Sequence, residues 1–254
     1  MRFLMSRLLL AAMLISLAAC AARPPASDRE ALDEFRQNND PIEPANRFFY
    51  KVNDGLDTYI FRPIAAGYRA VVPGAVRRPI HNVLANMSSP IIFANDVLQT
   101  KPRRAGDTMM RFLINTTAGV GGLFDVASDL GYPLHDTDFG VTMALWGVGE
   151  GPFLFLPVLG PSNPRDAGGF VADIALDPLT YASFPGSRTL GFTRYGVAAI
   201  DARERVLDAV DQVKRTALAP YATFRSLFRQ NRQSVIDTPR SDNRATVPAW
   251  FPRR

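Results

Sequence analysis

Two histidines, one cysteine and a scatter of aspartates are the side chains of this 254-residue chain that could do chemistry. His135 is followed by Asp136 and Asp138, and an imidazole beside carboxylates can activate water or begin a metal shell. One imidazole and two acids make a weak metal set, and Gly131-Tyr132-Pro133 just upstream marks a turn. A polar loop explains the cluster more cheaply. No Gly-x-Ser-x-Gly elbow occurs, so the usual lipase nucleophile is missing. Asp54, Asp57, Asp96, Asp107 and Asp125 fall at helix-edge positions rather than forming a paired acid/base site. Gly119-x-Gly121 is no dinucleotide loop either, because Phe124 stands where the third small residue belongs. These residues predict no enzyme, no cofactor and no metal.

Cys20 has a different chemistry. Arg2 and Arg7 precede an apolar run from Leu8 to Leu17, and Leu17-Ala18-Ala19-Cys20 places small residues before a cysteine. The apolar run, about ten residues, falls short of the roughly 20 that span a bilayer. This pattern matches the bacterial lipobox, in which the thiol takes a diacylglyceryl group and the freed amine a third chain. Cys20 is the only cysteine, so no disulfide framework exists. Two acyl chains suffice for stable anchoring. Ala21 follows, not the Asp of an inner-membrane retention signal, which favours the outer membrane. Losing Arg2 and Arg7 with the leader lowers the net charge from +5 to +3, too mild to imply nucleic acid. Lys51, Lys101 and Lys214 are the only lysines among the 29 basic residues, and guanidinium forks suit phosphate.

The elements around these residues read as helices. Residues 21–39 are polar, with Pro24-Pro25 near their start, and read as a tether. Asp40-Pro41-Ile42-Glu43 is a helix-start signal, and Ala45, Phe48, Phe49, Val52 and Leu56 follow at helical spacing. Val76, Ile80, Val83, Leu84 and Met87 repeat that spacing, and Ser89-Pro90 and Thr100-Lys101-Pro102 open new segments. Phe192, Tyr195, Ala199, Val206, Val210 and Val213 predict one helix with Asp201–Arg205 and Asp211–Arg215 as i,i+4 pairs. Tyr221, Phe224 and Phe228 continue the periodicity, and beyond Asn231 the polar composition predicts a disordered tail. Period-2 alternation is nearly absent, so the fold class is all-α.

Two apolar segments do not resemble an ordinary core. Phe112–Phe124 is uncharged, and its glycines permit a sharp reversal, predicting a helical hairpin from Thr108–Thr117 and Leu123–Leu130. Phe139–Gly160 carries one charge, Glu150, at its centre. Pro152 and Pro157 deny it a spanning helix, since lipid-exposed irregular backbone leaves polar groups unsatisfied. Packing inside protein, lying at an interface and lining a polar cavity all remain open.

Several motifs then align with one family. Asp40-Pro41-Ile42-Glu43-Pro44-Ala45-Asn46-Arg47, Pro63…Tyr68-Arg69…Val72-Pro73, Arg111-Phe112-Leu113-Ile114-Asn115-Thr116…Gly119…Gly121-Gly122-Leu123-Phe124-Asp125-Val126-Ala127 and Phe139-Gly140…Trp146-Gly147-Val148-Gly149-Glu150-Gly151-Pro152-Phe153…Arg165-Asp166 resemble the MlaA (VacJ) outer-membrane lipoproteins. The resemblance covers roughly Asp40 to Phe228. It implies a single ring-like domain of amphipathic helices, residues 40–230, embedded in the periplasmic leaflet after a signal peptide (1–19) and a lipidated tether (20–39), with a tail at 231–254. It further implies an amphipathic channel for misplaced phospholipid, a trimeric porin neighbour, and a soluble periplasmic carrier feeding an inner-membrane ABC transporter. The expected outcome is lipid asymmetry, with no nucleic-acid partner. Within that frame Arg194 and then Arg188 are expected to grip phosphate, and Gly119, Gly121, Gly122, Trp146 and Glu150 to line or hinge the channel. An envelope scaffold and a His135-based lipid hydrolase are the competing readings.

Overall fold

The computed structural model describes residues 39–241, without the side chain of Arg188. Cys20, its leader, the tether through residue 38 and residues 242–254 lie outside the described residues. Helix α1 (Glu43–Leu56) continues through a π-helical turn (Asp57–Phe61) into α2 (Arg62–Val71). The expected Asp40 cap is corrected. Ile42 is the N-cap, and Asp40 is buried outside the helix, accepting from Asn46 Nδ2 (2.7 Å), Arg225 (2.8 Å) and the Tyr221 hydroxyl. Three side-chain donors, one of them a guanidinium, engage the carboxylate away from the helix amides.

Helix α3 (Gly74–Leu98) is one continuous 25-residue element with Pro79 and Pro90 inside it, so no new segment starts at Ser89. Proline removes one backbone bond. Here the Ser88 and Ser89 hydroxyls donate to the carbonyls of Leu84 and Ala85, and packing against α4 (Pro102–Thr117) holds the rod together. After α4 come the single turn α5 (Val126–Asp129), α6 (Phe139–Leu145), β1 (Leu154–Leu156), β2 (Gly160–Ser162), α7 (Pro164–Leu176) and α8 (Pro178–Tyr181). Then follow α9 (Ser187–Arg205), α10 (Leu207–Thr216) and α11 (Pro220–Ser241). The strands form an antiparallel pair in the register Leu154↔Ser162 and Leu156↔Gly160, so the chain is mostly helical rather than strictly all-α.

The helical hairpin is α3 against α4. The expected second arm, Leu123–Leu130, is an extended turn with only α5 helical. The long helix expected across 192–213 is also divided. It breaks at Val206, and its acids point to other helices: Asp201 to His81 (3.1 Å) and Asp211 to Arg62 (2.8 Å). Interhelical partners replace the i,i+4 pairs because the kink turns the two halves toward different neighbours. The boundary at 230 moves as well. Helix α11 runs to Ser241 with Ile236 and Pro239 buried, because Ile236 meets Val141 and Ala144 of α6.

Packing contacts close a circuit: α3 meets α9, α9 meets α2, α2 meets α10, α10 meets α11, α11 meets α6, and α6 returns to α3. A ring of this kind has little room for one apolar centre. Its apolar clusters are small, one around Val141 and Ile236, the other around Phe153, Phe155 and Tyr221. More of the buried side chains among the described residues are polar than apolar. Large apolar side chains instead face outward, including Tyr59 (83 % exposed), Val71 (80 %), Tyr181 (71 %) and Phe192 (82 %). No described helix is long and apolar enough to cross a membrane.

Candidate functional site

The reactive-looking groups are occupied by the fold. His135 Nε2 lies 2.9 Å from Asp96 Oδ2, not beside Asp136 or Asp138, and Asp96 is fully buried with Thr108 donating to it at 2.7 Å. Asp138 caps α6 through the Val141 N–H (2.9 Å) and binds Arg232 through both oxygens (2.6 and 2.7 Å). The dyad required by the hydrolase reading is therefore not assembled. Among the described residues no group of three or more His, Cys, Asp or Glu could hold a metal ion.

Arg194, expected to grip phosphate, is buried on α9 and paired with Asp177, with Tyr195 OH also reaching that carboxylate (3.3 Å). Burial alone lowers the Arg194 pKa, but Asp177 outweighs it and leaves the guanidinium above its usual value. This arginine fastens α9 to the α7–α8 junction. Arg188 lies near the start of the same helix, its side chain outside the described residues.

The glycine reversal is stapled to α4. Arg111 donates to Asp125 (2.9 Å), Ser128 (2.9 Å) and the Tyr132 carbonyl, and Asn115 bridges Asp125 (2.9 Å) and the Ala127 amide (2.9 Å). A Cβ on Gly119 would lie 2.3 Å from the Phe124 carbonyl oxygen, and one on Gly122 2.7 Å from Asn86 Cβ. Gly121, at φ +71°, faces open space. Gly119 and Gly122 thus allow close approach, and Gly121 and Gly122 (φ +92°) supply the left-handed turn.

Trp146 donates from Nε1 to the Leu98 carbonyl (3.1 Å) and meets Phe139 edge-on, while 55 % of it stays exposed. Glu150 accepts from Arg229 (3.1 Å) and Asn39 (3.3 Å), so it ties α11 to the start of the described chain.

Two grooves flank Arg232 and the start of α7. The first encloses about 260 Å³ between the strand pair, α7 and α11. Its lining interleaves the apolar Leu156, Leu159, Phe170 and Phe228 with the charged Asp138, Asp166, Asp173 and Arg232. Burial pushes the Asp138 carboxyl up, but hydrogen bonds and charge from Arg232 outweigh it and hold it below the carboxylate range. Asp173 goes the other way: burial raises it more than Asn95 and the Phe139 amide lower it. Arg232 is held charged by its two acids despite burial. An amphipathic groove of this kind accepts a molecule with an apolar part and a charged part. Sequence reasoning missed Arg232, because the polar run past Asn231 reads as tail. The buried spacing of Phe228 and Ile236 was the available signal.

The second groove, also about 260 Å³, lies between the turn after α6 and the last turns of α11, with Arg165, Arg240 and Glu150 in its walls.

Comparison with known proteins gives this arrangement relatives. A family model described as MlaA lipoprotein matches residues 38–235. The chain is 32 % identical over 203 residues to the intermembrane phospholipid transport system lipoprotein MlaA of Escherichia coli, covering 78 % of this chain and 79 % of the relative. The Haemophilus influenzae protein of the same name is 32 % identical over 207 residues, covering 80 % and 82 %. An uncharacterised Rickettsia bellii protein reaches 35 % over 207 residues, covering 81 % and 80 %. A solved structure, described as the structural basis for maintenance of bacterial outer membrane lipid asymmetry, superposes with a TM-score of 0.68 at 32 % identity. It covers 78 % of this chain and 98 % of the solved one.

Proposed function

The chain belongs to the MlaA lipoprotein family, and from that membership we propose that it removes misplaced phospholipid from the outer leaflet through an amphipathic channel. It passes the lipid to a soluble periplasmic carrier that feeds an inner-membrane ABC transporter, and so maintains lipid asymmetry. One observation supports this reading above the others: a ring with charged, hydrogen-bonded side chains inside and large apolar side chains outside. Water would penalise such an exterior, whereas acyl chains accept it. Short helices with apolar exposed faces embed in one leaflet without spanning 30 Å of hydrocarbon. A trimeric porin beside the ring would hold it at the right depth. The acyl chains on Cys20 target and orient the domain, and the Gly121 turn serves as the hinge of the reversal that follows α4.

The test is genetic and chemical. Deletion should raise outer-leaflet phospholipid and detergent sensitivity, and the intact chain should restore both. Unchanged lipid asymmetry in the deletion strain would sink the reading. Cys20→Ser should mislocalise the protein.

A further inference from the structure

Arg165 opens α7 and is 8 % exposed. Its Nε donates to Asp166 Oδ1 at 3.0 Å, while its Nη2 is buried with no hydrogen-bond partner. Asp166 does not reach that nitrogen: its Oδ1 takes Arg165 Nε and Arg232 Nη2 (2.9 Å), and its Oδ2 takes Asn163 Nδ2 (2.8 Å). A buried cationic donor left unpaired is costly, and such a group calls for an acceptor supplied from outside the chain.

The second groove is where that acceptor can arrive. Arg165 lines it, and Arg240 stands at the rim with its side chain half exposed. Arg240 makes only long contacts, 3.3 Å to the Ala144 carbonyl and 3.4 Å to Asp237, so turning toward a ligand sacrifices little. Glu150 is the one carboxylate in the wall, and Arg229 and Asn39 engage it. Ala144, Val148 and Ile236 give the groove an apolar side. Two guanidiniums facing one space, with an apolar wall beside them, match a tetrahedral oxyanion carrying an apolar ester arm.

We propose that this groove is a phosphate-binding site, in which Arg165 from the floor and Arg240 from the rim hold the oxygens of a phosphodiester headgroup or of free phosphate. The choice of headgroup as the source rests on the phospholipid reading above; the anion chemistry does not.

The experiment uses the purified full-length lipoprotein in detergent, titrated separately with inorganic phosphate and with dihexanoyl-phosphatidylglycerol and followed by ³¹P line broadening. Wild type should bind the short-chain lipid, and Arg165→Gln and Arg240→Gln should each weaken binding by about tenfold, the loss of one charge-assisted contact. Arg240 is exposed, so Arg240→Gln decides the matter if Arg165→Gln does not fold. Arginine-dependent binding of lipid without inorganic phosphate assigns the site to headgroups. The reverse assigns it to free phosphate, and keeps the site while removing its link to transport. Equal binding by wild type and Arg240→Gln, or no binding of either probe by wild type, overturns the proposal. In the first of those cases, lipid asymmetry restored by Arg240→Gln in the deletion strain leaves the transport reading standing.

Discussion

The aromatic corner and the α2–α9 limb follow opposite rules. At the corner Tyr50 meets Phe155 and Tyr221 edge-on with centroids 5.5 and 5.8 Å apart, and Phe153 and Phe155 are buried. That is how a water-soluble protein excludes water. Along the limb the apolar side chains Ile64, Val71, Phe192 and Tyr195 face outward, and the interface between helices is ionic: Arg69 and Arg77 on Glu204, Arg62 on Asp211. The corner therefore needs an aqueous surrounding to hold it shut, whereas the limb needs an apolar one to leave its ion pairs as the best available contacts.

The largest expected effect comes from the polar interior. Asp96→Ala should destabilise by about 3–5 kcal/mol in detergent, because it removes the fully buried carboxylate that Arg104 and the half-buried His135 share. A loss under about 1 kcal/mol by thermal unfolding would mean that the polar interior is not what holds α3 to α4. Acid probes the same contacts. Asp57, Asp125 and Asp138 have carboxyls held below the ordinary range. Their folded pKa values lie under the unfolded ones, so their stabilisation is complete above about pH 4 and is lost as pH falls through the folded values. The Tm should drop on acidification below that point, and Asp138→Asn should flatten the drop.

The corner-type packing has a smaller satellite at Ile236, in the stretch whose composition reads as tail. Ile236→Ala should cost about 2–3 kcal/mol if that residue packs on Val141 and Ala144. A neutral result would return residues 231–241 to the tail.

Legibility of the sequence divides along the same line. Helical spacing exposes α1, α3 and α4, since periodicity survives whichever way the apolar face points. It does not say whether that face meets protein or lipid, and the stripe bearing Phe192 and Tyr195 proves to be exposed. Ion pairs were legible only in part. Asp201–Arg205 has the spacing of a helix pair, yet each partner reaches His81 from across the interface, and no local rule encodes a partner about 120 residues away. Arg165 stood inside a motif that could be read. Its unpaired nitrogen could not, because that depends on which nitrogens Asp166 reaches.

The reversal after α4 runs through three consecutive left-handed residues, Val120, Gly121 and Gly122. The φ of +71° at Gly121 disfavours any side chain, while open space surrounds the position, so Gly121→Ala should cost about 1 kcal/mol from conformation alone. At Gly122 an added Cβ also meets Asn86, and Gly122→Ala should cost more than Gly121→Ala in the same unfolding experiment. Equal costs would mean that Asn86 gives way and that the turn is not pressed onto α3.

The smallest effect is expected at Phe192, and it bears most directly on the comparison. Truncating a large aromatic in a protein core costs about 3–5 kcal/mol. At 82 % exposure Phe192→Ala should change stability in detergent by less than about 0.5 kcal/mol. The same substitution should weaken association of the chain with phospholipid vesicles, because the side chain's apolar area then has no acyl chains to enter. A large loss of stability in detergent would place Phe192 in a core and turn the limb into a second corner. Unaltered vesicle association would leave its outward face without a membrane to explain it.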